Sequence, residues 1–322
     1  MKTTLPRRQF LIHSGQAGLA WLAASRLGSA FSAPMPNPVG YATISWPRGQ
    51  FEQALETISA LHYQGTQLLG WVEDDFGGTK QPGLRQKLKS LRITPVALSC
   101  WGVSLNPANL GPVGSKFPGY VQYLRGLNGL YVQVTDAGHP NQTYSSDQIK
   151  ALGSRMNELG KIARDSGLQL GYHPHFGTLG ETRQGLGRVL EATDPSYVKL
   201  IADVAHLSLG GSDPAEVIRT YRDRLLFLHF KDVRKDIAKL AAENRDEARS
   251  ARYRFCEIGT GTIDFAAILA AMRDAKFIGW VIVELDAYEP PLGGPDEAAG
   301  TNAAALEKMG FKFPKAAPAA AT

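Results

Sequence analysis

The sequence has few cysteines, no long hydrophobic run in its main part and no glycine-rich phosphate loop. Two cysteines in 322 residues, Cys100 and Cys256, cannot form the disulfide framework of a small secreted domain. Two free thiols are therefore favoured over a single disulfide. No run beyond the N-terminal region is apolar enough to span a bilayer, so no stable membrane insertion of the mature chain is expected. No GxxxxGK motif is present, which removes the commonest loop for binding phosphate.

The first 33 residues differ in composition from the rest of the chain. They contain Arg7 and Arg8 in the stretch RRQFL, then a weakly apolar segment and small residues up to Ala33. This pattern predicts a twin-arginine signal peptide, and a disordered basic tail is the alternative. The expected partner of this segment is the twin-arginine export machinery, and the expected location is the periplasm or the medium. Residues 34–312 are predicted to form one folded domain, and residues 313–322 a disordered tail.

The basic charge of the chain is concentrated in the predicted signal peptide. The chain has a formal net charge of +5, and residues 1–33 contain four basic residues and no acidic one, so the charge falls to +1 without them. A nearly neutral mature protein lacks the basic surface that nucleic-acid binding requires. The sequence therefore predicts no nucleic-acid partner.

Short apolar or β-branched runs alternate with longer helical patterns from residue 38 onward, which predicts a single-domain α/β protein with the (β/α)8 TIM barrel fold. A doubly wound open sheet is the alternative, but ISWPRGQ is a poor glycine-rich turn after the first strand. Residues 234–261 are charged and long, and we interpret them as an elaborated loop over the barrel mouth. The predicted strands are 39–46, 66–71, 94–102, 130–136, 168–175, 198–206, 225–233 and 280–286.

Residues that bind metals fall at the C-terminal ends of four consecutive predicted strands, the face of a barrel that carries chemistry. A lone histidine at a strand end is more often structural, but a recurrence on four neighbouring strands favours a site. Imidazole and carboxylate together suit Mn, Fe, Co, Ni or Zn better than Ca or Mg. The residues in question are His173 and His175, Asp203 and His206, His229 with Lys231, and Glu284 with Asp286.

The motifs HPHFGT, DVAHLSLGGSDP, HFKDVRKD, GTGTIDF and GWVIVELD, in this order, resemble the xylose isomerase-like barrel superfamily of sugar phosphate isomerases/epimerases and family-2 AP endonucleases. YHPHFGT and HFKDVRKD are most similar to the inosose dehydratase branch. The resemblance implies one divalent metal ion, with Mn²⁺ expected first and Co²⁺, Zn²⁺, Ni²⁺ or Fe²⁺ as alternatives. The implied metal ligands are His173, Asp203, His229 and Glu284. Lys231 and Arg234 are implied to bind substrate oxygens, and His206 to contact the substrate or a metal-bound water.

Position 173 departs from the family pattern, which has Glu where this chain has His173. Many epimerases of the superfamily use two metal-bound carboxylates as bases on opposite faces of the sugar. This chain keeps only Glu284 of that pair, so elimination is favoured over symmetric epimerisation. We therefore predict a metal-dependent lyase that removes a proton next to the carbonyl of a keto-sugar or keto-inositol and expels water. An isomerase or epimerase with the same site is the alternative, and a DNA repair endonuclease or a non-catalytic sugar-binding barrel is less consistent with the charge and with the ligand set.

Further residues are candidates for the reaction or for substrate binding. Glu257, in FCEIGTG, is a candidate acid/base, with a surface carboxylate as the alternative. His175 is expected to contact substrate rather than metal. Trp46 and Trp101 end predicted strands, where their rings could stack on a sugar or simply pack at the rim. Export and the missing phosphate loop predict a non-phosphorylated substrate, and the sequence is compatible with a monomer or a homo-oligomer.

Overall fold

Strands and helices alternate along the part of the chain that the structure describes. The structure is a computed structural model and describes residues 34–106, 111–286 and 293–314. The predicted signal peptide and the last residues of the predicted tail lie outside these ranges. The strands are β1 (Val39–Ala42), β2 (Gly65–Leu69), β3 (Thr94–Val103), β4 (Tyr131–Asp136), β5 (Gln169–Tyr172), β6 (Val198–Asp203), β7 (Leu225–Phe230), β8 (Asp232–Val233), β9 (Phe255–Cys256) and β10 (Val281–Val283).

Eight of these strands form a closed parallel barrel, which confirms the predicted TIM barrel. The order around the barrel is β1-β10-β7-β6-β5-β4-β3-β2, and β1 closes it by pairing with both β2 and β10. Every residue of β1 and of β10 is buried. Strands of this kind are covered by helices on one side and by the barrel interior on the other, which explains their nearly continuous apolar sequences.

Helices follow the barrel strands and pack around them. They are α1 (Phe51–Ala60), α2 (Trp71–Phe76), α3 (Gln81–Ser90), α4 (Gly111–Gly126), α5 (Ser146–Asp165), α6 (Arg183–Glu191), α7 (Val204–Leu209), α8 (Pro214–Thr220), α9 (Lys235–Glu243), α10 (Arg245–Ser250), α11 (Phe265–Asp274) and α12 (Pro295–Lys308).

Helix α5, the longest helix among the described residues, shows how the local sequence determines where a helix begins and which of its faces is buried. Ser145 and Gln148 form a capping box, in which each side chain bonds to the backbone N–H of the other residue. Ile149, Leu152 and Met156 recur at spacings of three and four and are all buried, so one face of the helix lies against the barrel.

The segment predicted as an elaborated loop contains more regular structure than a loop. It holds helices α9 and α10 and strand β9, which pairs antiparallel with β8. Its apolar side chains, Ile237 and Phe255 among them, share a small core with Phe176, which follows β5. Arg249 on α10 forms an ion pair with the buried Glu181. The segment therefore packs on the loops at the barrel mouth, as predicted.

The contacts of Asp232 account for the glycines in the motif GTGTIDF. Its carboxylate accepts hydrogen bonds from the backbone N–H groups of Gly259, Gly261 and Ile263 at 2.9–3.0 Å. A Cβ at Gly261 would collide with the Val233 carbonyl oxygen and with this carboxylate. The aspartate after HFK and the glycines downstream are thus one structural unit that anchors the end of the inserted segment.

Several predicted strand ends are wrong by three or four residues. Strand β1 ends at Ala42, because a 3-10 turn over Thr43–Ser45 separates it from Trp46. Strand β6 ends at Asp203 rather than at His206. The carboxylate of Asp203 caps α7 by accepting hydrogen bonds from the N–H groups of Ala205 and His206, and this starts a helix where the sequence suggested a longer strand.

The remaining expectations concern the tail, the cysteines and membranes. Phe313, assigned to the disordered tail, packs edge-on against Tyr63 with ring centroids 5.1 Å apart, so the folded region extends at least this far. Cys100 and Cys256 are both free thiols, as favoured. Among the described residues, no helix has the length and apolar character needed to cross a membrane.

Candidate metal and substrate site

Four expected ligands meet at the C-terminal end of the barrel. His173 directly follows β5, Asp203 is the last residue of β6, His229 lies in β7 and Glu284 directly follows β10. Asp203 and His229 are direct partners in the pairing of their strands. All four side chains are buried, so their donor atoms face one another rather than water.

The distances among three of these donors fit a metal ion. The Nε2 atom of His173 is 3.4 Å from Asp203 Oδ2 and 3.4 Å from His229 Nδ1, and His229 Nδ1 is 3.5 Å from Asp203 Oδ2. A tetrahedral cation with bonds of about 2.1 Å separates its ligand atoms by about 3.4 Å. The three donor atoms are therefore spaced like three ligands of one tetrahedrally coordinated cation.

Glu284 and His206 complete the neighbourhood. Donor atoms of His173, Asp203, His206 and Glu284 all lie within 4.8 Å of one another. His206 Nε2 is 4.0 Å from Asp203 Oδ2, farther than His229 Nδ1. The shorter distances favour His229 as the second imidazole ligand and leave His206 beside the ion position.

Gln67 holds two of the four ligands. Its Nε2 atom donates to Glu284 Oε2 at 2.7 Å, and its Oε1 atom lies 2.8 Å from His229 Nε2. Because a carboxylate can only accept, the amide has one possible orientation, and Oε1 accepts from His229 Nε2–H. The proton on Nε2 leaves the lone pair of His229 on Nδ1, the atom that faces His173 and Asp203.

Gln133 contacts the other imidazole ligand. Its Nε2 atom is 3.0 Å from His173 Nδ1, while its Oε1 atom is buried without a hydrogen-bond partner. A half-turn of the amide would let Oε1 accept from Nδ1–H and would free His173 Nε2 for a metal. Such a partner on the second imidazole nitrogen is the usual companion of a histidine ligand. The orphaned oxygen therefore fits a metal-binding role for His173.

Lys231 places a positive charge among the carboxylates. Its Nζ atom lies 3.1 Å from Asp203 Oδ2, 2.9 Å from Glu284 Oε1 and 2.7 Å from Asp286 Oδ1. Burial alone would lower the pKa of Lys231, but the carboxylates of Asp203, Asp286 and Glu284 outweigh it and raise the pKa. The lysine is therefore a fixed ammonium ion.

The carboxylates are held in their ionised form. Burial alone would raise the pKa of Asp203, yet Lys231 and His206 lower it well below its ordinary value. Burial opposes ionisation of Glu284 as well, but His229 and Lys231 bring its pKa to about 2. Three carboxylates and one ammonium leave two net negative charges, which a divalent cation would balance.

Three histidines of the site, His173, His175 and His206, are held neutral, as a ligand or a base must be. Burial lowers the pKa of His173 and, together with His175 and Lys231, lowers that of His206 well below its ordinary value. Burial also lowers the pKa of His175 to about 4. The rings of His175 and His206 lie 3.7 Å apart, and Phe255 of the inserted segment packs edge-on against His206 with centroids 5.0 Å apart.

The structure does not bring every predicted residue to this cluster. Glu257 is not among the described residues whose donor atoms group together, and its charge lies near Tyr41. Arg234 pairs with Asp236 at the start of α9. Trp46 is only 4% exposed and donates from Nε1 to Asp296, so its ring is part of the packing. The side chain of Trp101 lies outside what the structure describes.

Sequence reasoning missed three contributors to the site, and it missed the contacts of a fourth, Gln67, with two of the ligands. Gln133 and Phe255 received no role, and Asp286 was noted without one. Gln133 and Asp286 could have been found by the rule that found the ligands, since each lies on a barrel strand or shortly after one. No sequence pattern points to Phe255, because only the packing of the inserted segment brings it over His206.

Comparisons with known proteins agree with this geometry. Residues 54–309 match the family described as xylose isomerase-like TIM barrel. The chain belongs to this family. An inosose dehydratase of Lacticaseibacillus casei is 29% identical over 285 residues, covering 81% of this chain and 92% of that protein.

Solved structures of other proteins share the fold. The IolI protein with a bound zinc atom has a TM-score of 0.68 at 18% identity, covering 85% of this chain and 98% of that one. A probable 3-DHS dehydratase, AsbF of Bacillus anthracis, has a TM-score of 0.67 at 15% identity, covering 84% and 98%. The predicted family and fold are confirmed.

Replacing Gln67 with Leu should weaken binding of a divalent metal about 10- to 100-fold, the usual effect of losing a partner that orients ligands. The change frees both the Nε2–H of His229 and Glu284 Oε2. Competition with a fluorescent chelator measures the affinity directly. The exposed Gln122, replaced with Leu in the same way, is the control and should leave metal affinity unchanged. Equal affinities of the two variants would contradict the role assigned to Gln67.

Proposed function

We propose that this protein is a divalent-metal-dependent dehydratase that acts on a non-phosphorylated keto-sugar or keto-inositol. The observation that carries the proposal is the buried cluster of two carboxylates with the imidazoles of His173 and His229, beside the Lys231 ammonium. Similarity to an inosose dehydratase over nearly its whole length supports the same reaction class. Mn²⁺ is the proposed metal, and Zn²⁺, Co²⁺, Ni²⁺ and Fe²⁺ suit the same donors.

The chemistry divides between the cation and the chain. A bound divalent cation would polarise the substrate carbonyl and acidify the adjacent C–H bond. Lys231 supplies a fixed positive charge beside Asp203, and this charge would stabilise substrate oxygen atoms that become negative during proton removal. His206, kept neutral by burial, is the proposed proton acceptor; its Nε2 accepts a hydrogen bond from Lys231 Nζ at 3.1 Å, which the substrate would have to replace. His175, which donates from Nδ1 to the Phe176 carbonyl, presents its own Nε2 beside it.

Elimination needs a proton to leave one carbon and a hydroxyl group to leave its neighbour. The imidazole that accepts the first proton can return it to the departing hydroxyl, so that water is the only molecule lost. Epimerisation instead requires a base that removes the proton on one face of the substrate and an acid that returns a proton on the other face. By the resemblance, His173 stands where many epimerases of the superfamily carry a carboxylate, and this difference favours elimination over the epimerase or isomerase alternative.

The test is NMR of the Mn²⁺-loaded protein in D₂O with keto-inositols and 3-keto-glycosides. Loss of water or of an aglycone with formation of an unsaturated ketone is the expected result. Deuterium in an intact, isomerised sugar would replace the dehydratase with the epimerase or isomerase. No reaction and no exchange with any of these ketones would exclude the proposal.

We also propose that the protein is exported through the twin-arginine route. The support is the RRQFL pattern in residues 1–33 and the near-neutral charge of the rest of the chain. Recovery from the periplasm of a protein whose N-terminus lies near residue 34 would be the expected result. An uncleaved chain found only in the cytoplasm would contradict it.

A further inference from the structure

Asp286 and His175 form the accessible edge of the site. The side chain of His175 is 33% exposed and that of Asp286 is 21% exposed. The side chains of His173, Asp203, His206, His229, Lys231 and Glu284 are each at most 5% exposed. A ligand that enters from solvent therefore meets Asp286 and His175 before it reaches the buried donors.

Both carboxylate oxygens of Asp286 point at groups of the site. Oδ1 accepts from Lys231 Nζ at 2.7 Å, the shortest of the three lysine–carboxylate contacts. Oδ2 lies 3.9 Å from His175 Nε2 and 3.9 Å from His206 Nε2. Among the contacts of Asp286 that the described residues show, Lys231 is therefore the one cation that this carboxylate holds.

The charge of the site depends on Asp286. Asp203, Glu284 and Asp286 oppose Lys231, so a divalent cation makes the site neutral. Without Asp286 the same metal-loaded site would carry one positive charge and would favour a carboxylate or phosphate ligand.

Two arginines of the inserted segment are already engaged. Arg249 pairs with Glu181 and Asp246, and Arg254 Nη1 donates to the carbonyl oxygens of Arg249 and Ala251. In sequence, residues 107–110 and 287–292 add no lysine or arginine.

We propose that Asp286 determines substrate charge: by holding Lys231 and facing the entrance, it selects neutral hydroxyketones and rejects those that carry a carboxylate or phosphate. This inference rests on the proposed function and names the residue that sets its substrate class. Rejection works by an unfavourable contact for the wrong ligand, a common source of specificity.

The test uses one matched pair of ligands, 3-dehydroshikimate and its neutral methyl ester, which differ in charge and by one methyl group. Dissociation constants for both are measured by calorimetry on the Mn²⁺-loaded full-length protein and on its variants. The wild type should bind the ester at least 10-fold more tightly than the acid. Asp286→Asn should strengthen binding of the acid at least 10-fold relative to the ester, while Asp286→Glu, which keeps the charge, should retain the preference.

Asp165→Asn is the matched control, because Asp165 also accepts from a lysine, Lys161, at 2.7 Å but lies on the exposed face of α5. It should leave the ratio of the two dissociation constants unchanged. The inference is overturned if Asp286→Asn brings no gain for the acid, or if the wild type prefers the acid. Because the readout is binding, a failure to turn over keto-inositols would count against the proposed function and not against the role of Asp286.

Discussion

Asp203→Asn should lose at least about 100-fold in affinity for divalent metal and with it the dehydratase activity, while the barrel stays folded. Asp203 has two separate tasks. Its Oδ1 atom caps α7 by accepting from the N–H groups of Ala205 and His206, and its Oδ2 atom faces His173, His229 and Lys231. The Asn side chain has the same shape and can keep the cap with its oxygen. What it lacks is the negative charge that a cation and Lys231 require.

Metal content after dialysis, chelator competition and thermal unfolding together check this expectation. The control is Asp213→Asn, because Asp213 caps α8 through a hydrogen bond from Ala215 N–H and lies outside the cluster. This control should keep full metal affinity. If Asp203→Asn bound metal as tightly as the wild type, the assignment of Asp203 as a ligand would be wrong.

Lys231→Met should destabilise the metal-free protein by about 3–5 kcal/mol, since removing one partner of a buried charge network leaves the others uncompensated. Asp203, Glu284 and Asp286 would then repel one another around an apolar side chain. A bound divalent cation supplies the missing positive charge, so metal should restore a large part of the lost stability. The variant should also lose about 10²–10³-fold in kcat, because a fixed charge next to developing negative oxygen atoms is gone.

Denaturant unfolding with and without metal measures both parts of this effect. Lys87→Met is the comparison, because Lys87 also contacts two carboxylates, Glu52 and Glu56, but at the surface of the barrel. Its loss should cost less than about 1 kcal/mol and should not depend on metal. A metal-free Lys231→Met protein as stable as the wild type would show that the three carboxylates are not held together by this lysine.

The sequence by itself determined the architecture and much of the metal cluster. Parallel strands buried on both sides need continuous apolar runs, and eight such runs predicted the barrel. Because all parallel strands end at the same rim, His173, Asp203, His229 and Glu284 could be expected to meet there although more than a hundred residues separate the first from the last. The order of the motifs indicated the family.

Only the tertiary structure decided which neighbours each of these residues has. Gln67 reaches Glu284 across 217 positions of sequence, and no periodicity shows that one amide joins a carboxylate to an imidazole. Trp46 looked like a substrate platform but is packed away, because its indole N–H is bonded to Asp296 of a helix 250 positions later. Asp286 became important only once its carboxylate was seen on Lys231. The physical reason is the same in each case: periodicity sets which end of the barrel a side chain reaches, whereas hydrogen bonds and charge depend on contacts of about 3 Å between distant segments.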